Sequence, residues 1–254
     1  KIINRNTGLV IVNGPTGSGK STTLYTILNH VNRREVNVVT LEDPVEVIIN
    51  GVNQMMVNSK EGISFADGLR SVMRQDPDVI MVGEVRDEET AVMAVRAALT
   101  GHKVYTTIHS TEPREVYLRL EEMGIKSYLI RESLVGIISQ RLIKMLCDSC
   151  KEEEIITYKD NKVKIYKKGD GCEKCNFTGY LGRALIISVN EINKDLKKKL
   201  VKLYDNNTIL TNIQMVDNLN NLLLTGKISR LDYMEFIDRE ELDFDYEGSF
   251  KAES

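Results

Sequence analysis

The sequence predicts an α/β protein built around a mostly parallel sheet, and three observations support this fold class. Apolar runs of strand length alternate with helical stretches along the first half of the chain. A glycine-rich loop at 14–22 lies between an apolar run at 8–13 and a helical pattern at 21–31. Later apolar runs end in acidic or polar residues, at the strand ends where ligands sit on an open parallel sheet.

The glycine-rich loop matches the phosphate-binding pattern G-x-x-x-x-G-K-[ST], known as the P-loop. Its glycines let successive backbone N–H groups point at phosphate oxygens, and the following helix adds its N-terminal dipole. Lys20 is expected to reach the β- and γ-phosphates of a bound nucleotide, and the Ser21 hydroxyl to bind Mg²⁺. The predicted nucleotide-binding residues are Gly14, Pro15, Thr16, Gly17, Ser18, Gly19, Lys20, Ser21 and Thr22.

Candidate catalytic residues follow three further strand-like runs. The run at 37–41 ends in an acidic turn, where a carboxylate could orient the attacking water. The four apolar residues at 79–82 precede Glu84, which is the form of a Walker B strand whose carboxylate holds Mg²⁺ directly or through water. His109 follows the run at 103–108 and could hydrogen-bond a γ-phosphate.

The composition limits the class of protein. The chain has 254 residues, of which 42% are hydrophobic and 28% charged, enough for a sizeable core and a second module. A net charge of −3 argues against a general nucleic-acid surface. No apolar run approaches the roughly 20 residues of a membrane helix. The chain begins with Lys1 rather than Met, so an upstream part is expected.

The four cysteines form two Cys-x-x-Cys pairs separated by 21 residues. This spacing is close to a zinc-binding pattern, and four thiolates suit a closed tetrahedral site. The expected zinc is therefore structural rather than catalytic, and its ligands are Cys147, Cys150, Cys172 and Cys175.

The pattern predicts four regions along the chain. A nucleotide-binding core at 1–146 precedes the zinc module at 147–189, a helical region at 190–240 and a disordered tail at 241–254. Beyond the P-loop helix, predicted helices lie at 65–73, 88–99, 115–123, 128–145, 196–203, 209–224 and 230–238, with a short hairpin at 158–166.

Together these residues resemble the secretion ATPase superfamily, the hexameric motors of type IV pili and type II secretion. The resemblance covers residues 8–183 and is carried by segments that start at Gly14, Glu42, Leu69, Gly83 and Thr100. They read GPTGSGKSTTLY, EDPVE, LRSVMRQDPD, GEVRDEETA and TGHKVYTTIHS. The stretch at 187–190 departs from the family's usual pattern, and the C-terminal helices match it poorly.

The resemblance implies a RecA-like core and three catalytic roles. Glu46 would activate water, Glu84 would act through Mg²⁺, and His109 would contact the phosphates. The tetracysteine module looks like that of the assembly ATPases, which form homo-hexamers and work on a platform protein at the cytoplasmic face of the inner membrane. In this family an upstream domain contributes arginines to the nucleotide site.

The leading interpretation is an ATP-hydrolysing motor for type IV pilus assembly, and a type II secretion ATPase is the close alternative. A RecA-like DNA translocase belongs to a different class. The lysines between the cysteine pairs favour it, but the slightly acidic chain without interleaved aromatics does not, so no nucleic-acid partner is expected. A nucleotide-binding scaffold without turnover is disfavoured by the intact Lys20, Glu46 and Glu84.

Overall fold

The chain forms two compact units, which divide it differently from the four predicted regions. A computed structural model describes residues 2–58, 63–158, 161–200, 210, 212–240, 242 and 250–252. The first unit comprises 1–140 and 189–211, and the second comprises 141–188 and 212–254. Thus the predicted helical region is split, and two of its helices lie in the same unit as the cysteines.

A seven-stranded sheet with the strand order β3-β2-β4-β5-β1-β6-β9 organises the first unit. Strand β1 pairs in parallel with β5 and β6, and β2 pairs in parallel with β3 and β4. Strands β1, β2, β4 and β5 are buried along their whole length, as expected for parallel strands covered on both faces. In chain order the strands are β1 Gly8–Asn13, β2 Val38–Glu42, β3 Asn53–Met56, β4 Val79–Val82, β5 Lys103–Ile108, β6 Leu134–Leu146, β7 Glu152–Tyr158, β8 Asn161–Lys167, β9 Tyr180–Glu191 and β10 Phe250–Ala252.

Most predicted helices are confirmed, and their caps explain where they begin. Ser64 and Asp87 accept hydrogen bonds from backbone N–H groups of the first helical turns that follow them. Of the predicted helix at 196–203, residues 201–203 lie outside the described residues. The helices are α1 Lys20–Val31, α2 Phe65–Val72, α3 Glu88–Leu99, α4 Pro113–Glu122, α5 Ser127–Ser133, α6 Lys194–Lys199, α7 Ile213–Leu224 and α8 Arg230–Arg239.

The prediction of one helix at 128–145 is wrong. The segment forms the short helix α5 and then the long strand β6, whose first eight residues are buried. Both faces of this strand, which pairs with β1, carry buried apolar side chains: Leu134, Val135, Ile137 and Ile138. A short apolar run does not distinguish a buried helix from a buried strand, and pairing with β1 decides in favour of the strand. Gly136 permits this packing, because an added Cβ would lie 2.9 Å from Ile2 Cδ1.

The second unit packs α7 and α8 against a three-stranded antiparallel sheet with the order β10-β7-β8. The predicted hairpin is longer than expected, because β7 and β8 pair from Glu152 to Lys167. The hydrophobic core of the second unit includes Leu219, Tyr233 and Phe236. In the predicted tail, residues 250–252 form β10, whereas 241, 243–249 and 253–254 lie outside the described residues.

No helix in the described part of the chain is both long enough and apolar enough to span a membrane.

Candidate nucleotide and metal sites

Four parallel strands end at the same edge of the sheet, where their ends and the loops that follow line an open cavity of about 410 Å³. The register places Asn13 of β1 beside Ile108 of β5, and Leu41 of β2 beside Val82 of β4. The loops that follow these strands therefore converge. All four predicted catalytic residues and most of the P-loop line this cavity: Lys20, Glu46, Glu84, His109, Thr16, Gly17, Gly19, Ser21 and Thr22.

The P-loop turns tightly before α1 begins at Lys20. Gly19 adopts a φ of +87°, which favours glycine. Lys20 Nζ donates hydrogen bonds of 2.9 Å to the backbone oxygens of Gly14 and Pro15, so the ammonium lies within the curve of the loop. Gly14, Pro15 and Ser18 do not line the cavity. A Cβ at Gly14 would lie 2.6 Å from Ser18 Oγ, so any side chain there would displace the loop.

A network of buried polar side chains on β1, β6 and the turn after β5 supports the P-loop. Ser139 Oγ donates to Asn13 Oδ1 at 2.6 Å, and Asn13 Nδ2 donates to Ser110 Oγ at 3.1 Å. Gln140 Nε2 donates to the backbone oxygen of Ser18 at 2.7 Å. These bonds connect strand β6 to the P-loop and to the end of β1, and the end of β1 to the turn after β5.

Glu84 lies at the centre of a charged cluster. Its Oε2 atom is 2.6 Å from Arg86 Nε and 3.6 Å from His109 Nε2. Burial and the nearby Lys20 ammonium lower the pKa of His109, and the Glu84 carboxylate opposes this shift. This shift favours the neutral imidazole, which can donate one hydrogen bond and accept another.

Sequence reasoning missed Tyr25 and Gln54 and left Glu42 without an individual role. Glu42 is buried, lines the cavity and accepts a 2.5 Å hydrogen bond from the Tyr25 hydroxyl. Tyr25 could have been identified from helical spacing, because it follows Ser21 by four residues and lies on the same face of α1. No signal in the sequence identifies Gln54, whose role depends on the pairing of β3 with β2.

The oxygen donors needed for Mg²⁺ are present in the cavity. Ser21 and Glu84 both line it and supply a hydroxyl and a carboxylate, the hard oxygen ligands that this ion prefers. The chemistry of this donor set fits Mg²⁺.

The four cysteines come together in the second unit. The Sγ atoms of Cys147 and Cys172, and of Cys150 and Cys175, are 3.8 Å apart, and all four lie within 4.8 Å of one another. A tetrahedral zinc with Zn–S bonds of about 2.3 Å requires S···S edges of about 3.8 Å. The backbone N–H groups of Cys172 and Gly179 donate to Cys175 Sγ and lower the pKa of this thiol. The cluster therefore fits a tetrahedral metal held by thiolates.

Comparisons with known proteins agree with this geometry. The Type II secretion system ATPase E of Vibrio cholerae serotype O1 is 47% identical over 191 residues, covering 72% of this chain and 38% of that protein. The type IV pilus assembly ATPase PilB of Thermus thermophilus is 41% identical over 212 residues, covering 79% of this chain and 24% of that protein. The chain thus spans less than half the length of both relatives.

The fold is also found in solved structures. The crystal structure of the pilus retraction motor PilT with bound ADP matches this chain with a TM-score of 0.67 and 30% sequence identity. The match covers 92% of this chain and 62% of the PilT chain. Residues 1–230 match the family model described as Type II/IV secretion system protein. With its P-loop, convergent acidic residues and parallel sheet, the chain belongs to the Type II/IV secretion system protein family.

Proposed function

We propose that the chain hydrolyses ATP as the catalytic part of a motor for type IV pilus assembly. The convergence of Lys20, Ser21, Glu46, Glu84 and His109 around one cavity carries this proposal. A nucleotide-binding scaffold would need only the P-loop, whereas two carboxylates and a histidine opposite it supply the groups that hydrolysis requires. The relationship to PilB and to the PilT fold supports a motor.

Each residue has a distinct role in the proposed reaction. The Lys20 ammonium binds the β- and γ-phosphate oxygens, and the P-loop N–H groups hold the remaining ones. Glu46 orients the attacking water and accepts its proton. His109 hydrogen-bonds the γ-phosphate. Ser21 and Glu84 would hold Mg²⁺, which when bound supplies positive charge to the phosphates.

Release of inorganic phosphate tests the proposal directly. Lys20→Ala should abolish nucleotide binding or turnover, because the phosphates lose their fixed cation. Lys194→Ala is the matched control, since this lysine is exposed at the start of α6. Normal turnover by Lys20→Ala would refute the assignment of the P-loop.

Type II secretion is the second candidate function, because the relatives at 47% identity include a type II secretion ATPase. The residues of the cavity do not discriminate between the two machines. A pilin and a prepilin peptidase encoded beside this chain would support pilus assembly, whereas genes for an export machine would support secretion.

We also propose that the full-length protein is a homo-hexamer acting on a platform protein at the cytoplasmic face of the membrane. Support comes from the family and from the part of the relatives that this chain leaves uncovered. The 254-residue chain should then bind ATP, assemble weakly and hydrolyse slowly, because arginines from outside it complete the site. Light scattering that detects a stable ring of this chain, with turnover equal to that of an extended chain, would contradict this.

The third proposal is a structural zinc on the four cysteines. Its support is the fit of the S···S distances to a tetrahedral site. Elemental analysis of freshly reduced protein should find about one zinc per chain. Cys172→Ser should lower the stability of the second unit while the P-loop still binds ATP. Protein that contains no metal after purification without chelator would refute this proposal.

A further inference from the structure

The acidic turn after β2 is held by a hydrogen-bond network that centres on Glu42. Glu42 is 3% exposed, and its carboxylate accepts from Tyr25 OH and Thr40 Oγ1 at 2.5 Å each and from Gln54 Nε2 at 3.0 Å. These donors come from α1, β2 and β3. One buried carboxylate therefore connects the helix that follows the P-loop to two strands of the sheet.

The same donors hold the backbone of the turn. The N–H of Glu46 donates to Tyr25 OH at 3.3 Å. Gln54 contacts the turn twice, because its Nε2 donates to the backbone oxygen of Val47 at 2.9 Å and its Oε1 accepts from the N–H of Ile49 at 2.7 Å. Tyr25 and Gln54 thus each connect Glu42 to the backbone that carries Glu46.

The Tyr25 hydroxyl makes two of these bonds. A tyrosine hydroxyl has one proton to donate and lone pairs that accept, so Tyr25 can donate to Glu42 and accept from the Glu46 N–H at the same time. Burial and the Glu42 carboxylate raise the pKa of Tyr25 to about 12, so the hydroxyl stays protonated at neutral pH. Glu42 therefore orients Tyr25, and Tyr25 holds Glu46.

Little apolar packing restrains this part of the turn. The side chains of Val47 and Ile48 are 55% and 85% exposed, and Glu46 itself is exposed. Only at Ile49, which is 6% exposed, does the chain return to the core. A segment with so few buried contacts opens easily unless hydrogen bonds hold it.

We propose that Tyr25, Glu42 and Gln54 are positioning residues that fix the Glu46 carboxylate relative to the P-loop helix. The inference rests on the proposed function, in which Glu46 orients the attacking water. A displacement of about 1 Å in a catalytic group can lower a rate by about 100-fold, so a network that sets the backbone of Glu46 can control turnover. Tyr25 and Ser21 lie on one face of α1. The network therefore fixes the position of Glu46 relative to the helix whose first turn would hold the phosphates.

Turnover measurements separate positioning from binding. Tyr25→Phe should lower kcat by at least about tenfold and leave KM for ATP within about twofold, because the phosphate contacts are intact. Glu42→Gln should have a similar effect, since its NH₂ would face either Tyr25 OH or the two donors Thr40 and Gln54. Tyr117→Phe is the matched control, because it removes a hydroxyl that bonds to Ser127 elsewhere in the first unit.

A double-mutant cycle distinguishes positioning from general stabilisation. In the Glu46→Gln background, Tyr25→Phe should cause almost no further loss of kcat, because the group that it positions is already disabled. An equal loss in both backgrounds would show that Tyr25 acts independently of Glu46 and would overturn the proposal.

Hydrogen–deuterium exchange tests the network without relying on turnover. Exchange in peptides covering 43–50 should accelerate in Tyr25→Phe and Gln54→Ala but not in Tyr117→Phe, with β1 unchanged. Unchanged exchange would overturn the proposal, and so would faster exchange with normal kcat. A wild-type chain that binds ATP but never releases phosphate would instead refute the proposed function, so the two failures are distinguishable.

Discussion

The side-chain amide of Gln140 donates a 2.7 Å hydrogen bond to the backbone oxygen of Ser18, joining residues 122 positions apart in the chain. Gln140 is fully buried on β6, and Ser18 lies in the middle of the P-loop. The loop therefore depends on a residue that no P-loop pattern contains.

We expect Gln140→Leu to weaken both folding and nucleotide binding. The substitution leaves the Ser18 carbonyl without this donor in a buried place, which costs about 1 to 3 kcal/mol. Denaturant unfolding and titration with a fluorescent ATP analogue measure the two effects. Gln75→Leu, at an exposed position after α2, is the control. Nucleotide affinity that is unchanged in Gln140→Leu would contradict this support for the loop.

Glu46→Gln and Glu84→Gln should both slow hydrolysis by orders of magnitude while ATP still binds. Removing a general base typically costs about 10² to 10⁴ in rate. The two variants should differ in their response to metal, because only Glu84 is expected to hold Mg²⁺, so Glu84→Gln alone should need more Mg²⁺ for half-maximal turnover. An equal loss of ATP affinity in both variants would show that the roles are misassigned.

The stability of the first unit should depend on Lys103 at alkaline pH. This lysine is 2% exposed and donates to the backbone oxygen of Ile2 at 2.8 Å. Burial, together with the charge of Arg5, lowers its pKa to about 8. Between pH 8 and the ordinary lysine pKa near 10.5, Lys103 holds its proton in the unfolded chain but has lost it in the folded one. The contribution of Lys103 to the free energy of unfolding therefore rises with pH in that window.

Lys103→Met is therefore expected to be more stable than wild type at pH 7 and to lose that advantage above pH 8. Between pH 7 and pH 10, the difference in free energy of unfolding between the two proteins should change by at most about 3 kcal/mol, as the folded and unfolded pKa values imply. Urea unfolding of both proteins at pH 7 and pH 10 measures it. A difference that is the same at both pH values would contradict the buried ammonium.

Gly226→Ala should destabilise the second unit. Gly226 has a φ of +67°, and a Cβ there would lie 2.3 Å from Tyr166 Cδ2. The ring has little room to withdraw, because Lys151 Nζ lies 4.3 Å from its centroid while donating to the Gly226 oxygen. Backbone strain and overlap together cost about 2 to 4 kcal/mol.

Denaturant unfolding of the second unit gives this loss, with ATP binding as the control for the first unit. Tyr166→Leu should partly rescue Gly226→Ala, because the smaller side chain removes the overlap. Equal costs of Gly226→Ala with and without the ring would show that the overlap does not matter.

The parts of the fold that depend on local pattern could be predicted from the sequence. The P-loop, the apolar run before Glu84 and the cysteine pairs are short segments whose spacing determines their structure. The convergence of the P-loop and Glu84 also follows, because parallel strands end at one edge of a sheet. The assignments of Glu46, Glu84 and His109 to individual roles stay predictions.

The features that depend on distant pairing could not be predicted. The sequence of β6 has a helical pattern, and only its pairing with β1 shows that it is a strand. Gln54 reaches Glu42 only because β3 pairs with β2, and Gln140 reaches Ser18 only because β6 borders β1. Each of these contacts depends on which strands pair in the sheet, and periodicity and motif spacing do not predict that pairing.

The two cysteine pairs enclose residues 151–171, a segment that contains the whole hairpin of β7 and β8. Once a metal holds the four thiolates, the beginning and the end of this segment are tied at a single point. Tension along the chain then passes from one pair to the other through metal–sulfur bonds, and the hairpin carries no load. A protease cut between β7 and β8 would then leave the two fragments joined by metal–sulfur bonds in addition to the pairing of β6 with β9, and a chelator would remove only the first of these links.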